Sequence, residues 1–248
     1  MHPSRNHILN SLSPDDSALL VKRLEPFELP FRFNLEVPSR PIDYVYFVEE
    51  GLISVVTAGS RDHQIEVGVI GRDGVSASAV ILGADRSPNA LYMQIPGRGL
   101  RISASDLRSA MNESDSLHKT LLTSVQAFFV QASYTALANG RAKLDARLAR
   151  WLVMAHDRLD GNRVPLTHEF LAIMLGVRRP GVSLELKKFA SRGLIQSERS
   201  AITVKNRKAL EDMADGFYGI PETEQERLTG WRPPHRYTPE SGGDKTRG

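Results

Sequence analysis

The sequence predicts an α+β chain in three parts: an N-terminal double-stranded β-helix of the jelly-roll kind, one long helix, and a C-terminal helical module with a small hairpin. Three observations predict it. Short runs rich in Val, Ile, Tyr and Phe, broken by Gly, Pro and Asp, crowd into residues 27–102. A helical period of apolar residues follows, from about Ser114 to Ala138. The excess positive charge then gathers in one stretch. Residues 139–219 hold 15 Lys and Arg against 9 Asp and Glu, whereas residues 1–138 hold 12 against 15. Charge concentrated in this way is the electrostatic footprint of a module that meets nucleic acid.

Composition narrows the classes further. The chain has 248 residues, 41% hydrophobic and 25% charged, which suits one large or two small globular domains. No apolar run reaches the ~18 residues that a membrane span needs. The opening MHPSRNHILNSLSPDD lacks the apolar core of a signal peptide. Cysteine is absent, which excludes disulfides, thiol redox sensing and Cys-ligated zinc or iron–sulfur centres. A cytoplasmic location without membrane contact is expected.

The elements follow in order. Residues 6–25 read as one or two short helices, with Ser13 as an N-cap and Pro14 in the first turn. FELPFRF (27–33), DYVYFVEEGLISVVTAG (43–59), HQIEVGVIG (63–71), SAVILG (78–83), ALYMQI (90–95) and GLRI (99–102) read as strands. Glu49-Glu50-Gly51 and Gly59-Ser60-Arg61-Asp62 read as hairpin turns. A short helix covers Ser103–Met111. In the long helix, Leu121, Val125, Phe128, Ala132 and Thr135 recur at steps of 4, 3, 4 and 3, a heptad seam suited to a partner helix. Leu122, Phe129 and Ala136 form a second apolar stripe beside it. One stripe can pack on the β-roll while the other meets a partner. Asn139-Gly140 reads as a C-cap and hinge. Helical texture resumes over Arg141–Leu159 and ends at Asp160-Gly161-Asn162. From Ile220 the chain has four prolines, a Gly-Gly pair and no apolar period, and reads as disordered. Trp231 and Tyr237 are the large apolar residues there.

These readings divide the chain into a β-roll over 1–112, a dimerisation helix and hinge over 113–139, a DNA-binding module over 140–215, and a disordered tail over 216–248. The module rests on spacing. Thr167 is placed to cap a helix that starts at His168. Ala172 lies four residues before Gly176, and Val182 six after it. A helix-turn-helix needs a small residue where its helices cross, a residue able to take positive φ in the turn, and a branched apolar residue on the second helix facing the first. Val182, Leu186 and Phe189 supply that second helix with a buried face. Arg178 and Arg179 then stand at its leading end, with Pro180 and Gly181 in the first turn. Residues at the start of such a helix reach base edges, and arginine pairs with guanine in two-pronged fashion. Ser183, Lys187 and Lys188, further along, are candidates for phosphate contacts. GLI and AITV flank a turn with Ser200 at its tip, which reads as a wing. The expected DNA-contacting set is Thr167, His168, Arg178, Arg179, Gly181, Ser183, Lys187, Lys188 and Ser200.

At this point the chain resembles the CRP/FNR family of bacterial transcription regulators, over about residues 8–215. RLARWL (147–152), LTHEFLAIMLGVRRPGVSLELKKF (166–189) and GLIQSERSAITV (193–204) carry the resemblance. It implies a β-roll of cyclic-nucleotide-binding type and a winged helix-turn-helix. It also implies a homodimer on a palindromic operator, an effector in the β-roll that shifts DNA affinity, and RNA polymerase as a possible further partner. Two departures bear on function. Where the family's nucleotide sites carry Gly-Glu, this chain has Val75-Ser76, and Arg86-Ser87 is followed by Pro88-Asn89. Ser76, Arg86 and Ser87 are the candidate effector residues, but cyclic nucleotide binding is not expected, and no cofactor is. In the recognition helix the family's Arg-Glu-Thr becomes Arg179-Pro180-Gly181, and a second basic base reader becomes Leu184. Operator preference should therefore differ.

Other classes stay open. A cupin-like metalloenzyme on the β-roll needs a His/His/Glu cluster, and the β region offers His63 alone. A haem sensor needs His ligands, with His118 and His63 as candidates. A β-roll that binds a small molecule without any DNA role is the remaining alternative. No Walker loop, HExxH helix or nucleophile–base pair is visible, so no enzyme is expected.

Overall fold

The computed structural model describes residues 4–59 and 64–235. The fold is α+β, with a β-roll, a long helix and a C-terminal helix-turn-helix domain. Two short helices open it. In α1 (His7–Asn10) the Asn6 side chain accepts from Leu9 N–H, and in α2 (Pro14–Val21) the Ser13 hydroxyl accepts from Asp16 N–H. Among the described residues no helix is long and apolar enough to cross a membrane.

The roll is one antiparallel sheet. Its strands are β1 (Glu25–Leu29), β2 (Asn34–Glu36), β3 (Tyr44–Ala58), β4 (Gln64–Ile70) and, after the helical turn α3 (Ser78–Ile81), β5 (Ala90–Ser103). Their order is β1-β5-β3-β4, with β2 also paired to β5. β3 and β5 are long, and bulges between Val48 and Ile53 bend the pair. Bending lets one sheet wrap around its own core of Leu29, Tyr46, Val48, Ile53 and Met93.

Three local expectations change here. Glu49-Glu50-Gly51 is not a turn but a bulge inside β3. Gly51 takes φ +96°, and a Cβ on Gly97 would stand 2.0 Å from the Glu50 carbonyl oxygen. These glycines mark a close backbone crossing, which in sequence resembles a turn. ALYMQI and GLRI are one strand, continuous through Pro96-Gly97. SAVILG is not a strand. Ala77 takes φ +59° and α3 follows, burying Val80 and Ile81. A short apolar run reads alike in a strand and in a buried helical turn. Part of the Gly59–Asp62 turn, and His63, lie outside the described residues.

α4 (Ala104–Glu113) leads into α5 (Asp115–Arg141), 27 residues long. α5 passes straight through Asn139-Gly140. The break falls at Ala142 and Lys143, both extended, before α6 (Leu144–Arg158). A helical Gly costs only ~1 kcal/mol relative to Ala, so packing on either side decides where the chain turns.

The expected partner seam also changes. Leu121 and Thr135 are buried, and Val125, Phe128 and Ala132 half-buried, within the same chain. The Phe128 ring lies so close to Gly68 that a Cβ there would stand 2.7 Å from it. Gln131 ties α5 to β4 by accepting from Val69 N–H (2.7 Å) and donating to Val69 O (3.2 Å). The other stripe is the open one: Leu122 and Ala136 are exposed, and Phe129 is 64% exposed.

The C-terminal domain continues with β6 (Arg163–Val164), α7 (His168–Met174), α8 (Arg179–Ser191), β7 (Ile195–Ser197), β8 (Ile202–Val204) and α9 (Arg207–Met213). Its core runs on into the outer face of the roll, joining Leu148, Leu152 and Met174 to Leu52, Val56, Val69 and Ile95. Polar groups are buried across this junction. The Arg158 guanidinium, 2% exposed, grips Asp73 with both ends, Nε to Oδ1 at 3.0 Å and Nη2 to Oδ2 at 2.7 Å.

Residues 220–235 are not disordered. α10 (Ile220–Thr229) packs on α5 and buries Pro221, Glu222 and Gln225. Gln225 donates to Asp73 Oδ2 at 2.8 Å, and buried Trp231 lies 5.4 Å from the Arg158 guanidinium. Tyr237 lies outside the described residues.

Glu66 on β4 is a further buried acid at this junction. It accepts from Trp151 Nε1–H (2.6 Å) and from the Ser54 hydroxyl. Burial pushes its carboxyl up to about 7, against the pull of these two donors. A native pKa above the unfolded value means that the folded chain holds this proton more tightly. The contribution is full below the unfolded pKa of ~4.3 and is lost as pH rises through about 7. Glu66→Gln, which mimics the protonated form, should change stability little at pH 4, below the unfolded pKa. At pH 8 it should raise stability, by at most ~1.4 kcal/mol per unit of the upward shift. Thermal melts at both pH values check this, and an equal effect at both would show that Glu66 does not titrate in the window.

Candidate nucleic-acid interface

The interface is built from two short helices and a hairpin. Thr167 Oγ1 accepts from Phe170 N–H at 3.3 Å and so starts α7. Leu175 ends it, and Gly176 takes φ +60°, the left-handed conformation the turn requires. Ala172 is buried, and Val182, Leu186 and Phe189 are buried on the inner face of α8. The spacing of Ala172, Gly176 and Val182 therefore marks a real helix-turn-helix.

α8 starts with Arg178 at its N-cap and Arg179 and Pro180 in its first turn. Pro180 removes an N–H that would have no partner there. The same turn carries no acidic residue. Two cations against the positive end of a helix dipole cost ~0.3–1 kcal/mol each, so folding does not explain them. Both arginines are exposed, and among the described residues neither makes an ion pair.

His168 links the parts. Its Nδ1 lies 3.1 Å from Ser183 Oγ on α8, and its Nε2 3.1 Å from Ser197 Oγ on the wing. Burial, and then the charge of Arg179, hold its pKa below the usual histidine value. His168 thus clamps α8 to the wing, and the Ser183 hydroxyl is engaged by it. Gly181 has a packing reason, since a Cβ there would meet Leu144 at 3.3 Å. Lys187 is exposed, and Lys188 is exposed with an ion pair to Glu185 at 2.8 Å. Exposed Ser200 stands at the wing tip between β7 and β8, which pair with each other, and β8 pairs on its other side with β6.

Thr167, His168, Glu169, Arg179 and Arg199 line one cleft between the starts of α7 and α8 and the wing. Arg199 was not among the residues expected from sequence. Its signal was its place beside Ser200 at the tip of a hairpin that follows a helix-turn-helix.

The candidate effector residues are not assembled. Ser76 is buried, and its hydroxyl accepts from Tyr46 N–H at 2.8 Å. Arg86 is exposed and paired with its neighbour Asp85 at 2.8 Å, and the Ser87 hydroxyl accepts from Asn89 N–H. A different acid reaches this region. Glu36, on β2, accepts from Ala77 N–H at 2.9 Å, and burial pushes its carboxyl up to about 7. Among the described residues no three His, Asp or Glu side chains come together as a metal site.

Comparison with known proteins agrees with this geometry. The family model described as Crp-like helix-turn-helix domain matches residues 146–213. No curated protein matches the chain in sequence. Among solved structures, a CRP/FNR-family transcriptional regulator from Eubacterium rectale is similar at a TM-score of 0.65 and 17% identity. That match covers 84% of this chain and 98% of the other. FixK2 from Bradyrhizobium japonicum is similar at 0.64 and 17%, covering 77% and 96%. A CRP-family regulator from Thermus thermophilus is similar at 0.62 and 19%, covering 77% and 97%. Residues 146–213 are thus a Crp-like helix-turn-helix domain, carried on a chain with the fold of the CRP/FNR transcriptional regulators.

Proposed function

We propose that this chain is a sequence-specific DNA-binding transcription regulator that acts as a homodimer on a palindromic site. The observation that carries the reading is the unpaired Arg178-Arg179 step at the exposed leading end of α8, beside a wing that adds Arg199. Arg179 reads a base edge, while Lys187, Lys188 and the wing hold phosphates. An effector acts through the β-roll, and the arrangement of Ser76, Arg86 and Ser87 does not suit a cyclic nucleotide. This reading carries with it a cytoplasmic chain and RNA polymerase as a further partner. The alternative of a β-roll ligand-binding protein or cupin-like enzyme leaves the two arginines and the wing without a purpose.

The dimer forms along α5 through the open stripe of Leu122, Phe129 and Ala136, joined by exposed Leu137. Phe129→Glu is expected to sediment as a monomer. It should weaken binding to a two-half-site duplex by about 100-fold, because the second half-site no longer binds at high effective concentration. Sedimentation and DNA titration of both proteins test this. A wild-type monomer, or a variant that binds as tightly as wild type, contradicts it.

A further inference from the structure

The outer face of α8 is not uniformly polar. Pro180, Leu184, Lys187 and Ser191 recur at steps of 4, 3 and 4, so they form one stripe, opposite the buried stripe of Val182, Leu186 and Phe189. All four are exposed, and Leu184 is 54% exposed. Leu184 therefore points away from the fold at the centre of the face that the helix turns outward. Pro180, one turn earlier, extends it into a small apolar spot. Positive charge flanks this spot on both sides, from Arg178 and Arg179 at the leading end to Lys187 and Lys188 beyond.

A single exposed Leu is ordinary on a protein surface. Here its position is what matters. The cations fix the occupant of this face as a polyanion, and the reading of α8 as the helix that enters the major groove puts Leu184 against base edges. A leucine side chain cannot hydrogen-bond. The one apolar feature that a base pair shows in that groove is the C5-methyl group of thymine. We infer that Leu184, with Pro180 beside it, reads a thymine methyl group in each operator half-site, next to the base pair contacted by Arg179.

The inference rests on the proposed DNA-binding function, and one experiment separates the two. Full-length protein is first used to select sites from random duplex DNA. Each thymine of the selected half-site is then replaced in turn by deoxyuridine, which lacks only the methyl group. For wild type, one position per half-site should weaken binding about fourfold, the value of one buried methylene-sized group. Leu184→Ser should bind the thymine and deoxyuridine sites equally, while Leu184→Met should keep the preference. The residue is exposed, so neither change threatens folding. Deoxyuridine without effect at every position, or an undiminished effect in Leu184→Ser, overturns the inference and leaves DNA binding standing. Failure to select any site overturns the DNA-binding reading, and this one with it.

Discussion

Arg179→Ala is expected to relax sequence selection at one base pair in each half-site, costing about 1–3 kcal/mol at that position. The expectation follows from chemistry and placement together. Arg179 is the exposed cation closest to the tip of α8 within the helix, and no ion pair among the described residues holds it elsewhere. The acidic reader that the resemblance would place beside it is Pro180, which has no hydrogen-bonding side chain. Base discrimination at the helix tip therefore falls mainly on Arg179. Titrating the variant against the selected site and its single-base variants measures the effect. A loss of equal size on every sequence would instead make Arg179 a phosphate contact.

The largest stability effect is expected from Arg158→Ala, at about 3–5 kcal/mol. Arg158 and Asp73 are both almost fully buried and are joined in two-pronged fashion. Asp73 also accepts from Gly71 N–H and Gln225, and Arg158 also donates to Met154 O. Removing the guanidinium leaves a buried carboxylate without its counter-charge. It also removes the Cγ and Cδ that cover Gly71, 3.0 and 3.2 Å from where a Cβ on that glycine would stand. The pair joins the β-roll to α6 and α10, so its loss should loosen the whole junction. Arg5 provides the comparison. Its ion pairs with Glu50 and Asp160 are largely solvent-exposed, and Arg5→Ala should cost ~1 kcal/mol or less. Urea unfolding of the two variants checks the contrast, and equal costs would contradict it.

Local signals made the helix-turn-helix legible in sequence. Gly176 is needed for a positive φ, Ala172 and Val182 for a close crossing, and Thr167 for a cap, so each residue type answers to one physical demand. The β-roll was legible as a class, but its strands were not fully so. Gly51 and Gly97 serve a backbone crossing whose second strand lies far along the chain. Which apolar stripe of α5 faces outward was not legible either. Its two apolar stripes lie one residue apart, and only docking against Gly68 and Val69 decides that Leu121 and Phe128 turn inward. α10 escaped notice for a different reason. Its ends carried signals, with Gly219 and Gly230 as boundaries and Pro221 in the first turn. The residues it buries are Pro221, Glu222 and Gln225, so hydrophobic periodicity had nothing to report. In the candidate site, the arginines were visible from their position, whereas the role of His168 as a clamp depends on two serines that are 15 and 29 residues away.

In the proposed function α8 reads DNA sequence for a dimer. Genomic fragments selected by the full-length protein, with the recovered site titrated at rising salt, put this to the test. A palindrome with half-sites about one helical turn apart is predicted. Its affinity should fall linearly in log–log form with salt, with a slope set by the phosphates neutralised. Fragments recovered without any shared sequence, or binding that ignores salt, would show that α8 does not read DNA in this way.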